Sequence, residues 1–121
     1  MILHGECIEE MKEIPDKSVD MILCDLPYGI TTNCKWDIII PFDKLWGQYE
    51  RIIKDNGAIV LTASQPFVSA LIMSNPKLFK YEWIWEKPNG TNFISVNFQP
   101  FRVHEQILIF GKSAINYTSN K

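Results

Sequence analysis

Val19-Asp20-Met21-Ile22-Leu23-Cys24-Asp25-Leu26-Pro27-Tyr28-Gly29 sets a compact apolar run directly before an acidic, proline-containing turn. A run of that length with a single charge inside it suits a strand buried on both faces, as in parallel sheets. Asp25 then lies at the strand's carboxyl end, where open α/β sheets bind ligands because the departing loops line a crevice. The turn brings together an acceptor-only carboxylate at Asp25, a backbone restricted by Pro27 and the aromatic face of Tyr28. Asp and Pro are also ordinary turn residues, so taken alone the tetrapeptide reads equally as a plain turn.

Working outward, Met1 to His4 reads as a short strand, and Ile8, Met11 and Ile14 recur at helical spacing until Pro15. Residues 29–41 lack a period and contain Thr31, Thr32, Asn33 and Trp36-Asp37, which predicts a loop able to fold over a site. Asp43 is placed to cap a helix running to about Lys54, with Leu45, Trp46, Tyr49, Ile52 and Ile53 on one face and Asn56-Gly57 ending it in a left-handed turn. Strands are predicted over 58–61, 81–85 and 106–110, and a helix over 65–73 opened by Pro66. The segment from Glu86 to His104 is long and rich in Asn, Pro and Gly, as functional loops are. This order predicts an α/β domain over residues 1–121, with a mostly parallel sheet, an antiparallel edge pair formed by the last two strands, and helices on its faces.

The 121 residues, 46% hydrophobic and 21% charged, suit one globular domain. No run approaches the roughly 20 apolar residues of a membrane span, and Glu6, Glu9 and Glu10 replace a basic signal segment, so a cytoplasmic location is expected. Three cysteines, Cys7, Cys24 and Cys34, form no C-x-x-C, which argues for reduced thiols, two of them buried, and against a disulfide framework or zinc cage. Residues 1–60 carry 11 acidic and 6 basic side chains, whereas residues 61–121 carry 3 and 6. A polyanion should therefore prefer the second half, although 6 dispersed cations are not a dense basic stripe.

Familiar cofactor signatures are absent. The glycines never form G-x-G-x-x-G, and Gly111-Lys112-Ser113 lacks the earlier glycine of a phosphate loop. His4-Gly5-Glu6 imitates the H-x-E of zinc deaminases without the partner P-C-x-x-C, so no metal site is expected. His104 with Glu105 reads as structural.

Several segments together resemble the beta-type, permuted S-adenosylmethionine-dependent DNA amino-methyltransferases, especially the phage and prophage adenine methylases. They are His4-Gly5-Glu6-Cys7, Ser18 to Leu23, Asp25-Leu26-Pro27-Tyr28-Gly29, Lys35-Trp36-Asp37, Ser64-Gln65-Pro66-Phe67, Tyr81 to Lys87 and Pro100 to Glu105, in the family's order over nearly the whole chain. The resemblance implies a Rossmann-like methyltransferase sheet, S-adenosylmethionine as cofactor and DNA as substrate. It assigns Asp25, Leu26, Pro27 and Tyr28 to catalysis: the Asp25 carboxylate and the Leu26 carbonyl accept the amine hydrogens, Pro27 fixes the backbone, and Tyr28 stacks on a base extruded from the duplex. A carboxylate of ordinary pKa, about 3.9, is too weak a base to deprotonate a neutral amine first, so the proton leaves after transfer. The family usually has proline at the Leu26 position, and Leu26 keeps the backbone acceptor while losing rigidity. Asp rather than Ser at the Asp25 position implies adenine N6 over cytosine N4.

By the same resemblance Glu6 and Cys7, with Asp25, contact the cofactor, Glu6 standing where Asp is usual. Trp36 walls the base pocket or covers the core. Lys87 and Arg102 contact phosphate or are solvated surface charges. The family's glycine loop for the methionine half of the cofactor and its target-recognition segment have no counterpart, so the domain is expected to be an incomplete, N-terminal catalytic part of a restriction-modification type enzyme. A complementing C-terminal half or a second copy would then be a partner. An inactive remnant, a noncatalytic nucleic-acid-binding module, and an RNA or small-molecule methyltransferase are the alternatives.

Overall fold

The computed structural model describes residues 1–27, 39–88 and 103–115. Its elements run α1 (Cys7–Met11), β1 (Val19–Asp25), α2 (Phe42–Ile52), β2 (Ile53–Ala63), α3 (Phe67–Ser74), β3 (Phe79–Glu86) and β4 (His104–Phe110). The strands form one sheet in the order β1-β2-β4-β3. β1 and β2 are parallel, and β4 inserts antiparallel between β2 and β3. The α/β class and the antiparallel β3–β4 pair match expectation, but the sheet is mixed rather than mostly parallel because β4 also runs against β2.

All three helices pack on one face. Leu45, Trp46 and Tyr49 of α2 and Phe67, Val68 and Leu71 of α3 join Ile59, Leu61, Leu108 and Phe110 of the sheet in a single core, with Ile8 and Met11 of α1 against its margin. Aromatic rings bind its layers: Phe110 lies 4.8 Å from Trp46 and 5.5 Å from Phe79, centroid to centroid. The Trp46 indole, buried among these groups, satisfies its N–H by donating to Ser74 Oγ at 2.8 Å.

The opposite face carries Met21, Leu23 and Asp25 of β1, beside Ala58, Val60 and Thr62 of β2 in register. Val60 and Ile109 at its centre are buried, yet Met21 is 52% and Leu23 69% exposed. The expectation that β1 is buried on both faces is thus corrected. It is an edge strand, paired with β2 alone among the described residues, and no described helix lies over its second face.

Three further expectations change. Residues 1–4 form no strand, and Met1, Ile2 and Leu3 are exposed. Asp43 sits in the first turn of α2 rather than capping it, Pro41 holding the N-cap position. Asn56-Gly57 does not end that helix: α2 gives way to β2 at Ile53, whose fully buried side chain anchors the strand's start. Gly57 is instead a place of close approach, where a Cβ would stand 2.7 Å from the Ile53 side chain and 2.8 Å from the Asp20 carbonyl oxygen. The ladder skips there from Val19↔Ile53 to Met21↔Ala58, so β2 bulges against β1.

Candidate active site

Alternation along β1 sorts its side chains: Ile22 and Cys24 turn towards the core, and Asp25 turns to the other face. Asp25 closes the parallel ladder opposite Thr62, whose hydroxyl donates to Asp25 Oδ1 at 2.8 Å. The chain then dives: Leu26 is buried in the core and Pro27 half-buried. A carboxylate, a backbone carbonyl and a proline therefore follow one another at the carboxyl end of a strand. Tyr28 lies outside the described residues, as do Trp36, Arg102 and Cys34.

Beside this turn is a cleft of about 1020 Å³, walled by α1, β1 and the turn after it, residues 39–41 and α2. Glu6, Cys7, Leu26 and Pro27 line it together, and Asp25 is not among its lining residues. Its volume is at the upper end of small-molecule sites, and its walls are mainly apolar, with Glu6, Glu9 and Lys44 as charged members. The Glu6 carboxylate accepts from the Glu9 N–H at 3.0 Å and so caps α1. That bond first, and the Ile8 N–H next, hold Glu6 below the ordinary carboxylate range.

Cys7 is exposed and Cys24 half-buried, which corrects the expectation of two buried thiols. Desolvation within the cleft, then the adjacent Glu6 charge, push the Cys7 thiol up. Tyr49, also lining the cleft, is pushed up by burial foremost and then by the neighbouring Cys24 thiol. Both groups are neutral hydrogen-bonding surface at physiological pH, not bases or nucleophiles.

Lys87 stands apart from the cleft at the end of β3. It donates to Glu105 at 2.6 Å and lies 5.4 Å over the Trp85 ring. Its charge is met within the fold, so contact with a phosphate would require Glu105 to release it. Sequence reasoning did not find Thr62 or Tyr49, both brought to the site by tertiary pairing; a polar Thr62 inside an otherwise apolar run was the available signal.

The chain is 30% identical over 132 residues to the DNA adenine methyltransferase YhdJ of Escherichia coli K12, covering 98% of this chain and 43% of that protein. It is also 30% identical over 141 residues to the type II methyltransferase M.HinfI of Haemophilus influenzae, covering 95% of this chain and 39% of the relative. The chain belongs to the DNA methyltransferase family. Solved methyltransferases share its fold: the cytosine-N4-specific PvuII DNA methyltransferase superposes with a TM-score of 0.70 at 12% identity over 90% of this chain and 48% of its own, and the M1.HpyAVI–SAM complex with 0.66 at 20% over 98% and 61%. No family model matches. This methyltransferase-family chain spans about two fifths of the length of the curated relatives it matches. The aligned part contains the Asp25 turn and the whole sheet described above.

Proposed function

We propose that the chain is the amine-binding part of a site-specific, beta-type DNA methyltransferase that transfers a methyl group from S-adenosylmethionine to the exocyclic N6 amine of adenine. The observation that carries this reading is the placement of Asp25, Leu26 and Pro27 at the carboxyl end of β1, beside a large cleft. Asp at the first motif position and the likeness to the DNA adenine methyltransferase YhdJ support adenine. The cleft's apolar walls and the Glu6 carboxylate suit an adenosine group, with Cys7 beside it. When bound there, S-adenosylmethionine supplies the electrophilic methyl.

The chain's own groups prepare the nucleophile. An aromatic amine is unreactive while its lone pair is delocalised into the base. Asp25 accepts one amine hydrogen and the Leu26 carbonyl the other, which favours a pyramidal nitrogen with its lone pair directed outward. Pro27 restricts the backbone between these acceptors and Tyr28, the residue proposed to stack on the extruded base. Trp36 and Arg102 are proposed to contact the base and phosphate, joined by Lys87 once Glu105 lets it go. The proton leaves after methyl transfer.

A partner piece belongs to the same proposal. The relatives carry more than half of their length outside the matched part. β1 has one unpaired edge among the described residues, next to the exposed Met21 and Leu23. An α/β segment equivalent to the relatives' unmatched part, pairing with that edge and covering that face, would complete the sheet. A cytoplasmic location accords with the reading, and no described helix is long and apolar enough to cross a membrane.

The test is methyl incorporation from labelled S-adenosylmethionine into duplex DNA, by the chain alone and with the polypeptide encoded immediately downstream. Hydrolysis to nucleosides should yield N6-methyladenine, abolished by Asp25→Ala. N4-methylcytosine would move the specificity, and preferential labelling of RNA would replace the substrate. No labelling in either arm, with no cofactor binding, overturns the proposal.

A further inference from the structure

We infer that Thr62 is a positioning residue for the Asp25 carboxylate, fixing which of its two oxygens is left to receive the substrate amine. The inference rests on the proposed role of Asp25 as amine acceptor. Asp25 is the last residue of an edge strand and is exposed, so its own strand does little to hold its carboxylate. Thr62 is the opposite case. It lies on β2, a strand paired on both sides, between Leu61 and Ala63, which are anchored in the core at 0% and 1% exposure. Its β-branched side chain has restricted χ1 freedom, so the ladder sets where its hydroxyl stands.

That hydroxyl donates to Asp25 Oδ1 at 2.8 Å, and among the described residues no donor is recorded on Oδ2. A carboxylate is acceptor-only, so the bond occupies a site on Oδ1, restrains rotation of the group and leaves Oδ2 as its open acceptor. Reaction rate is steeply sensitive to such placement, with misplacement of about 1 Å costing on the order of a hundredfold. Thr62 is not among the residues that line the cleft, so cofactor binding there should be indifferent to it.

The test compares Thr62→Val, which keeps shape and removes the donor, with Thr62→Ser, which keeps the donor. In the 121-residue chain, the carboxyl carbon resonance of Asp25, assigned by its loss in Asp25→Asn, should move in Thr62→Val and return towards its original place in Thr62→Ser. In the methyl-transfer assay with the downstream-encoded polypeptide, Thr62→Val should lower kcat by up to about a hundredfold, the cost of a misplacement of about 1 Å. KM for S-adenosylmethionine should stay unchanged, and Thr62→Ser should restore kcat. An unmoved Asp25 resonance in Thr62→Val overturns the inference without need of activity. A kcat untouched by Thr62→Val, where Asp25→Ala is inactive, overturns it while the proposed function stands. Full activity of Asp25→Ala removes both.

Discussion

Arg51 of α2 donates from Nη2 to the main-chain carbonyl of Met11, the last residue of α1, at 2.7 Å. Its Nη1 serves the Ile14 carbonyl and the Asp16 carboxylate, each at 2.7 Å. One guanidinium thereby adds a second donor to the last helix carbonyl, which also accepts from the Ile14 N–H, reaches the turn that follows, and ties α1 to α2 across the cleft wall. A helix so short cannot persist alone, so its position depends on this tie. Arg51→Ala should cost about 1.5–3 kcal/mol of stability, the range for hydrogen bonds to charged groups. Denaturant midpoints check the magnitude, and faster amide exchange at Lys12 to Ile14 than in the β2 core checks the mechanism. A uniform loss of protection through the whole chain would contradict a local clamp.

Glu6 gives a pH signature at the opposite end of α1. Its carboxyl is lowered from 4.5, chiefly by the Glu9 N–H. A folded pKa below the unfolded one means that the capping contribution is complete above the unfolded glutamate range and is lost as pH falls through the depressed folded value. The carboxyl carbon of Glu6 should titrate with a midpoint below 4.5, and the amide proton of Glu9 should shift with the same midpoint. Glu6→Gln should abolish that titration of the Glu9 amide. A midpoint at or above the ordinary value would show that the cap does not form in solution.

How far the sequence disclosed this fold depended on whether the deciding contacts were local. Helical periodicity over 45–53 and the apolar runs around Ile22, Val60 and Leu108 were enough to place α2, β1, β2 and β4, since those patterns are written in adjacent residues. Gly57 misled because a glycine after a helix reads as a stop, whereas here it admits Ile53 and the Asp20 carbonyl. Met21 and Leu23 misled because exposure of a strand depends on its neighbours, not on its own apolarity. Asp25, Leu26 and Pro27 were legible as consecutive residues of complementary chemistry. Thr62 was not, being 37 positions away and joined to Asp25 only by ladder register.

Gly57 itself offers a sharp test of packing. Gly57→Ala would force its Cβ against the Ile53 side chain and, at 2.8 Å, against the Asp20 carbonyl oxygen, which cannot move without disturbing the β1–β2 ladder. Overpacking of this kind costs about 1–3 kcal/mol. Thermal or denaturant unfolding should show that loss, whereas Gly47→Ala, with nothing within 4 Å of its new Cβ and a gain in helix propensity, should be neutral or stabilising. Equal effects at the two sites would mean that β2 does not bulge against β1 as described.

Leu23 and Leu61 lie on neighbouring strands but on different faces, and this separates stability from association. Leu61 is fully buried beneath the helices, so Leu61→Ala should cost about 2–5 kcal/mol in the chain alone. Leu23 is 69% exposed on the face opposite the helices, so Leu23→Lys should change the stability of the chain alone by no more than about 0.5 kcal/mol. If a complementing α/β segment covers that face, the same lysine would bury a charge against it without a partner. Affinity for the downstream-encoded polypeptide, measured by titration, should then fall by about tenfold or more, each tenfold corresponding to about 1.4 kcal/mol. Binding unaffected by Leu23→Lys, with Leu61→Ala destabilising as stated, would place the complementing segment elsewhere on the sheet.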